Sequence, residues 1–110
     1  MSLIEELKKV LGDQNVLTGT DKERYSSDWL GQYQFEPLCV VRPASTEEVS
    51  DIVRLARSFH VNIVPVGGNT GLNGGTHSDN AISISMERMN KIREIRLNSK
   101  IAIVEAGVIL

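Results

Sequence analysis

The sequence predicts a small α+β fold: a mixed sheet built on a strand–helix–strand unit, with flanking helices at the N-terminus. Three observations predict it. The apolar runs Leu38–Arg42 and Ile63–Val66 bracket a segment whose apolar residues recur at helical spacing. Ser-x-x-Glu capping signatures stand at Ser2–Glu5 and Ser45–Glu48. Further short apolar runs, Ala81–Ser85, Ile95–Leu97 and Ile101–Ala106, have strand length and follow turn-rich stretches.

In chain order, Leu3, Leu7, Val10 and Leu11 fall on one face of a helix over residues 3–11, and Gly12 suits its C-terminal cap. A second, shorter helix is expected from Asp21 to Trp29, opened by Thr20, and an extended connection from Leu30 to Pro37. Leu38–Arg42, closed by Pro43, reads as a buried strand. Val49, Ile52, Val53, Ala56 and Phe59 form the apolar stripe of a helix from Thr46 to Phe59. Ile63–Val66 is the next strand, paired in parallel with the first through a right-handed crossover. Met86–Ile92 reads as a turn or short helix, and Asn98-Ser99-Lys100 as the hairpin turn between the last two strands. The organisation expected is a helical segment at 1–36 and a second unit at 37–110.

Composition narrows the function classes. The 110 residues are 41% apolar and 24% charged, with a net charge of −2, so the basic surplus of nucleic-acid binders is missing. Cys39 is the only cysteine. It allows neither an internal disulfide nor a cysteine-based zinc site, and the simplest location is a reducing, cytoplasmic one. The N-terminus MSLIEELKKV is acidic where a signal peptide is basic, and no run approaches the length of a membrane span. The chain stops in the apolar stretch Ile101–Leu110. That stretch is expected to be the cut edge of a longer protein; the alternative is a short terminal strand docked in a sheet.

The stretch Pro65–Gly75, PVGGNTGLNGG, holds five of the nine glycines. Fixing glycine is entropically costly, so the loop is either mobile or built for close backbone approach to a ligand. It leaves directly from a strand, where open α/β sheets bind ligands. Successive N–H groups in such a turn form a concave nest suited to phosphate, and Asn69 and Thr70 add short polar groups. A Walker A loop is excluded because no lysine lies between Arg57 and Lys91, and the glycine spacing at 67, 68, 71, 74 and 75 does not supply the dinucleotide fingerprint.

The pattern Pro65-x-Gly-Gly-Asn-Thr-Gly-Leu-x-Gly-Gly75 resembles the first pyrophosphate loop of the vanillyl-alcohol-oxidase (PCMH) type of FAD-binding domain. It is most similar to the FAD-linked D-2-hydroxyacid dehydrogenases: D-lactate dehydrogenase, D-2-hydroxyglutarate dehydrogenase and the glycolate oxidase flavin subunit. Tyr25-Ser-Ser-Asp28-Trp29 with Gly31, Val41-Arg42-Pro43-Ala-Ser-Thr-Glu-Glu-Val49, Glu87-Arg88-Met89-Asn90-Lys-Ile92 and Glu105-Ala106-Gly107 carry the resemblance along the chain from Tyr25 onward.

The resemblance implies an α/β-type first subdomain of an FAD-binding domain. Gly67, Gly68, Asn69, Thr70 and Gly71 would donate to FAD phosphates, Gly74 and Gly75 would shape the loop's return, and Ser85, Asn90 and Gly107 would lie beside the cofactor. Pro65 would end the strand, Met89 would pack, and Asp28 with Trp29 would form a turn. No catalytic or metal residue is assigned: the resemblance implies that the catalytic histidine and the metal ligands belong to a C-terminal domain outside these residues. His60 and His77 lack a suitably spaced carboxylate, and Arg42 reads as a surface or interdomain residue. The expected function is FAD anchoring within a flavoprotein that oxidises a 2-hydroxy acid. The rest of that protein is the expected partner, and the 110 residues alone are expected to be inactive, with weak or absent FAD binding. The alternatives are a non-catalytic phosphate or nucleotide module, or a module that self-associates through its exposed last strand.

Overall fold

The computed structural model describes residues 2–27, 31, 34–69 and 74–109. Helix α1, Leu3–Leu11, begins at Ser2, whose Oγ accepts the Glu5 N–H at 3.2 Å, and ends at Gly12 with φ +85°. Helix α2, Thr46–Ser58, begins at Ser45, whose Oγ accepts the Glu48 N–H at 3.2 Å; the Glu48 carboxylate in turn accepts the Ala44 N–H at 2.8 Å. Both serine caps therefore form as the sequence predicts, and at Ser45 the glutamate completes the box. His60 follows α2 with φ +56°, the left-handed residue that commonly ends a helix.

The strands are β1 (Val16–Leu17), β2 (Cys39–Val41), β3 (Ile63–Val66), β4 (Ile82–Ser85), β5 (Ile92–Arg96) and β6 (Ile101–Val104). Four of them form a mixed sheet in the order β1-β2-β4-β3, with β1 antiparallel to β2 and the other neighbours parallel. The strand–helix–strand unit is present, but β2 and β3 do not pair directly as expected; β4 enters between them. The residues explain the order. All four positions of β4 are buried, which suits a central strand, whereas β3 contains Pro65, which cannot donate to a ladder and fits an edge. Pro65 sits within β3, which continues to Val66, so it does not end the strand.

One face of the sheet carries the core. Cys39 and Val41 of β2 and Ile82 and Ile84 of β4 pack with Leu7 and Leu11 of α1, Val16 of β1, and Ile52 and Ala56 of α2. The N-terminal segment thus shares a core with the rest. The buried stripe of α2 is rotated toward Leu55 because α2 also packs beside α1; Val53 and Phe59, expected in that stripe, are exposed.

Two expectations change. Where the sequence predicts a short helix opened by Thr20 from Asp21 to Trp29, Gly19–Tyr25 winds as a 3-10 helix with Thr18 as its cap. Its residues are polar and only Tyr25 is buried, so it has no apolar stripe to hold an α-helix in place. Strand β1, two residues long, is too short to leave a periodic signal. Strands β5 and β6 form a separate antiparallel hairpin with a bulge between Ile92 and Glu94. It starts three residues earlier than expected and every residue in both strands is exposed. Among the described residues no helix is long and apolar enough to cross a membrane.

Candidate functional site

A cleft of about 780 Å³ opens where the parallel strands β3 and β4 end. Val66 and Ser85, their last residues, line it together with Gly67, Gly68, Asn69, Asn90 and Gly107, and the walls are completed by residues around Arg24–Ser27 and Val108–Ile109. Six of the ten residues singled out in the sequence therefore meet in one cavity: Gly67, Gly68, Asn69, Ser85, Asn90 and Gly107. Gly74 and Gly75 lie on the loop's return, outside the lining. Thr70 and Gly71, with Asp28 and Trp29, fall outside the described residues.

Asn69 organises the loop. It takes φ +57°, a conformation that asparagine tolerates better than most residues. Its side-chain amide donates to the Ser27 carbonyl at 2.8 Å, and its Oδ1 accepts the Thr76 hydroxyl at 3.0 Å. The side chain thus ties the glycine loop to the segment after Tyr25 and to its own return.

The glycines divide by cause. Gly107 is dictated by the fold: a Cβ there would lie 1.8 Å from the Met86 carbonyl oxygen, and its N–H donates to the Met89 carbonyl at 2.8 Å. Met89 itself is buried. Gly67 has no such requirement. Its φ is outside the left-handed region, and the nearest atom to an added Cβ is the Ala106 carbonyl oxygen at 4.0 Å. The space a side chain would take at 67 belongs to the cleft.

Sequence reasoning missed the charged wall. Glu87 is paired with the Arg24 guanidinium, accepts the Tyr25 hydroxyl at 2.8 Å, and lies 3.4 Å from Arg42 Nη1. Arg24 also stacks over the Tyr25 ring, 4.7 Å from its centre. Burial pushes the Tyr25 hydroxyl's pKa up, and the Glu87 carboxylate adds to that push. Arg42 is therefore an internal strut: Nη2 donates to the Gln14 carbonyl and Nη1 reaches Glu87. Arg24 and Glu87 are 63 residues apart, and no local pattern announces a contact at that separation.

A family model described as "FAD binding domain" matches residues 37–110. The chain belongs to the FAD-binding domain family. It is 36% identical over 110 residues to the D-2-hydroxyglutarate dehydrogenase of Stutzerimonas stutzeri (strain A1501), covering 98% of this chain and 24% of that protein. It is likewise 36% identical over 107 residues to the glycolate oxidase subunit GlcD of Bacillus subtilis (strain 168), covering 96% of this chain and 23% of the other. The chain thus spans about a quarter of the length of these relatives. Among solved structures, 4-ethylphenol oxidase from Gulosibacter chungangensis superposes with a TM-score of 0.83 at 26% identity, over 96% of this chain and 22% of that one. Substrate-bound p-cresol methylhydroxylase gives 0.82 at 25%, with the same coverage. The mixed sheet and helices are those of this FAD-binding fold.

In this FAD-binding domain His77 stands apart from the cleft. It does have a carboxylate partner: Nε2 lies 3.0 Å from Asp79 Oδ2, and its ring packs on Phe35 with centres 5.5 Å apart. Sequence spacing had suggested none, yet the turn after Gly75 folds a residue only two positions away back onto the ring. Among the described residues no cluster of three or more metal-ligating side chains occurs.

Proposed function

We propose that the cleft at the ends of β3 and β4 holds the FAD pyrophosphate, and that this chain is the cofactor-anchoring N-terminal portion of a flavoprotein that oxidises a 2-hydroxy acid. The observation that carries the reading is Gly67. Neither its backbone angle nor a neighbouring atom calls for glycine there, so a ligand that must approach the main chain supplies the reason. The Gly67–Asn69 backbone supplies donors for phosphate, Thr70 and Gly71 are assigned the same role, and Gly74 and Gly75 shape the loop's return. Ser85, buried with its Oγ accepting the Glu87 N–H at 3.4 Å, and Asn90 are assigned places beside the cofactor in the same lining, and Gly107 allows the backbone to pass close to the Met86 turn. When bound, FAD supplies the two-electron acceptor; the residues here bind it and fix its position. The relatives named as 2-hydroxyacid-oxidising proteins support the substrate class.

The protein expressed from its full reading frame should purify yellow, with the absorbance bands of oxidised flavin, and Gly67→Val should release the colour. Colourless protein that takes up no added FAD overturns the reading. The 110 residues alone should bind FAD weakly, because much of the cofactor stays in water.

A second reading has its own observation. The β5–β6 hairpin exposes Ile92, Ile95 and Val104 on one face, with Ile101 and Ile103 paired to Arg96 and Glu94 on the other; the apolar face favours association with other polypeptide. Concentration-dependent sedimentation of the 110-residue chain supports self-association through it; a monomer at every concentration removes it.

A further inference from the structure

We propose that Arg24 is a side-chain counter-ion for the diphosphate in this cleft, and that Glu87 is the internal anion it exchanges for that ligand. The inference rests on the cleft being a diphosphate site. The glycine loop offers only neutral N–H dipoles, and Arg24 is the sole cation among the described lining residues. Its side chain is 68% exposed, whereas that of Arg42 is 28% exposed and its Nη2 is committed to the Gln14 carbonyl. Arg24 is therefore the guanidinium that a ligand can reach. The guanidinium lies over the Tyr25 ring, and Glu87 engages only its Nη2, so giving up one ion pair frees the whole fork for phosphate oxygens.

Glu87 is arranged so that this exchange does not strand it. Arg42 and the Tyr25 hydroxyl both remain on Oε1 when Arg24 turns away. Two guanidinium groups against one carboxylate leave the cluster with a net positive charge, which favours an entering anion. The bond from Asn69 to the Ser27 carbonyl keeps the loop and the Arg24 segment in one fixed relation, so backbone donors and guanidinium address the same ligand.

Inorganic pyrophosphate is the probe, titrated into the 110-residue chain and read by NMR shifts of the Gly67–Asn69 amides and the arginine Nε–H groups. Binding is expected in the millimolar range. Arg24→Gln should weaken it about tenfold, as expected for losing a charge-assisted phosphate contact, with a shallower salt dependence. Arg24→Lys should retain most of the affinity. Glu87→Gln keeps an acceptor for Tyr25 while removing the competing charge, and should tighten binding about threefold. Arg96→Gln, on the hairpin and outside the cleft, should leave affinity unchanged. Unaltered thermal midpoints by circular dichroism show that the variants fold; should Arg24→Gln unfold, the Lys and Glu87→Gln variants decide. Wild-type affinity in Arg24→Gln, or weakening in Glu87→Gln, overturns the counter-ion role. If Gly67→Val abolishes binding while Arg24→Gln does not, the cleft reading survives and this inference alone falls. No shifts in the wild-type chain sink both.

Discussion

Strand β4 and the β5–β6 hairpin are both rich in isoleucine, yet they have opposite fates. Ile82 of β4 is fully buried, whereas Ile92 and Ile95 of β5 are 59% and 60% exposed. What differs is cover. β4 is flanked by β2 and β3 and packs against α1 and α2, while the hairpin pairs only with itself. Ile95 pairs with Ala102, and Ile92 with Val104, in the register of the two strands, so these apolar residues meet across the ribbon. A two-stranded ribbon is marginal in water by itself. An apolar pattern thus places a strand, and only its neighbours decide whether that strand is core.

The sharpest way to break this comparison is to make the same truncation in both places. Ile82→Ala should cost about 3 kcal/mol, the lost transfer energy plus a cavity in a core that cannot collapse. Ile95→Ala should stay within about 0.5 kcal/mol. Urea unfolding of the two variants measures the difference, and equal midpoints would show that the hairpin is core after all.

Ionisation at the centre of the sheet should have the next largest effect. Burial pushes the Cys39 thiol up to about 11 from its ordinary 9.0. The unfolded chain therefore loses this proton first as pH rises, so stability is full below about pH 9 and falls until about pH 11. The loss should approach about 2.5 kcal/mol, as expected for a shift of about two pK units. Cys39→Ala should flatten that alkaline limb in a stability-versus-pH series, although the variant is weaker overall because of its cavity. An unchanged alkaline limb would place the sensitivity elsewhere.

The joint between the two regions comes third. Gly107→Ala puts a Cβ against the Met86 carbonyl, at a site where backbone must shift, and should cost about 2 kcal/mol. The loss should be local. Amides of β5 and β6 should exchange faster while those of β2 and β4 keep their protection, as for separate cooperative units. Uniform acceleration across both would mean that the hairpin and the sheet open together.

The contrast also explains what the sequence made legible. Both long helices were readable to within a residue because Ser2 and Ser45 write their caps locally and Leu7 and Ile52 write the period. The insertion of β4 between β2 and β3 was not, since pairing order depends on burial from both sides. Within the cleft, Gly67, Ser85 and Asn90 were legible through the loop pattern and its flanking segments. The Arg24–Glu87–Arg42 cluster was not, because its members are brought together only by the fold. Gly107 was legible as a residue of interest but for another reason: its own backbone neighbours at Met86 and Met89 require it.

Two carboxylates, the exposed Asp79 and the half-buried Glu105, supply the smallest test, one in each region. Asp79 accepts the Glu36 N–H at 2.5 Å, and Glu105 accepts the Lys91 N–H at 3.1 Å at the base of the hairpin. Those backbone bonds are the main reason both carboxyls are held below their ordinary pKa; His77 and Arg93 add lesser pulls. Each group stabilises the fold above the ordinary carboxylate pKa of roughly 4, and that contribution is lost as pH falls through the lowered folded value. The amide protons of Glu36 and Lys91 should report the two protonations by NMR, each with a midpoint below the ordinary carboxylate value. Arg93→Gln should raise the Lys91 midpoint slightly and leave that of Glu36 in place. Added salt should move the Lys91 midpoint the same way but by less, because only the Arg93 end of the pair is exposed to screening. If both midpoints moved together, the sheet and the hairpin would be electrostatically one body, and the division drawn from their burial would not extend to their charges.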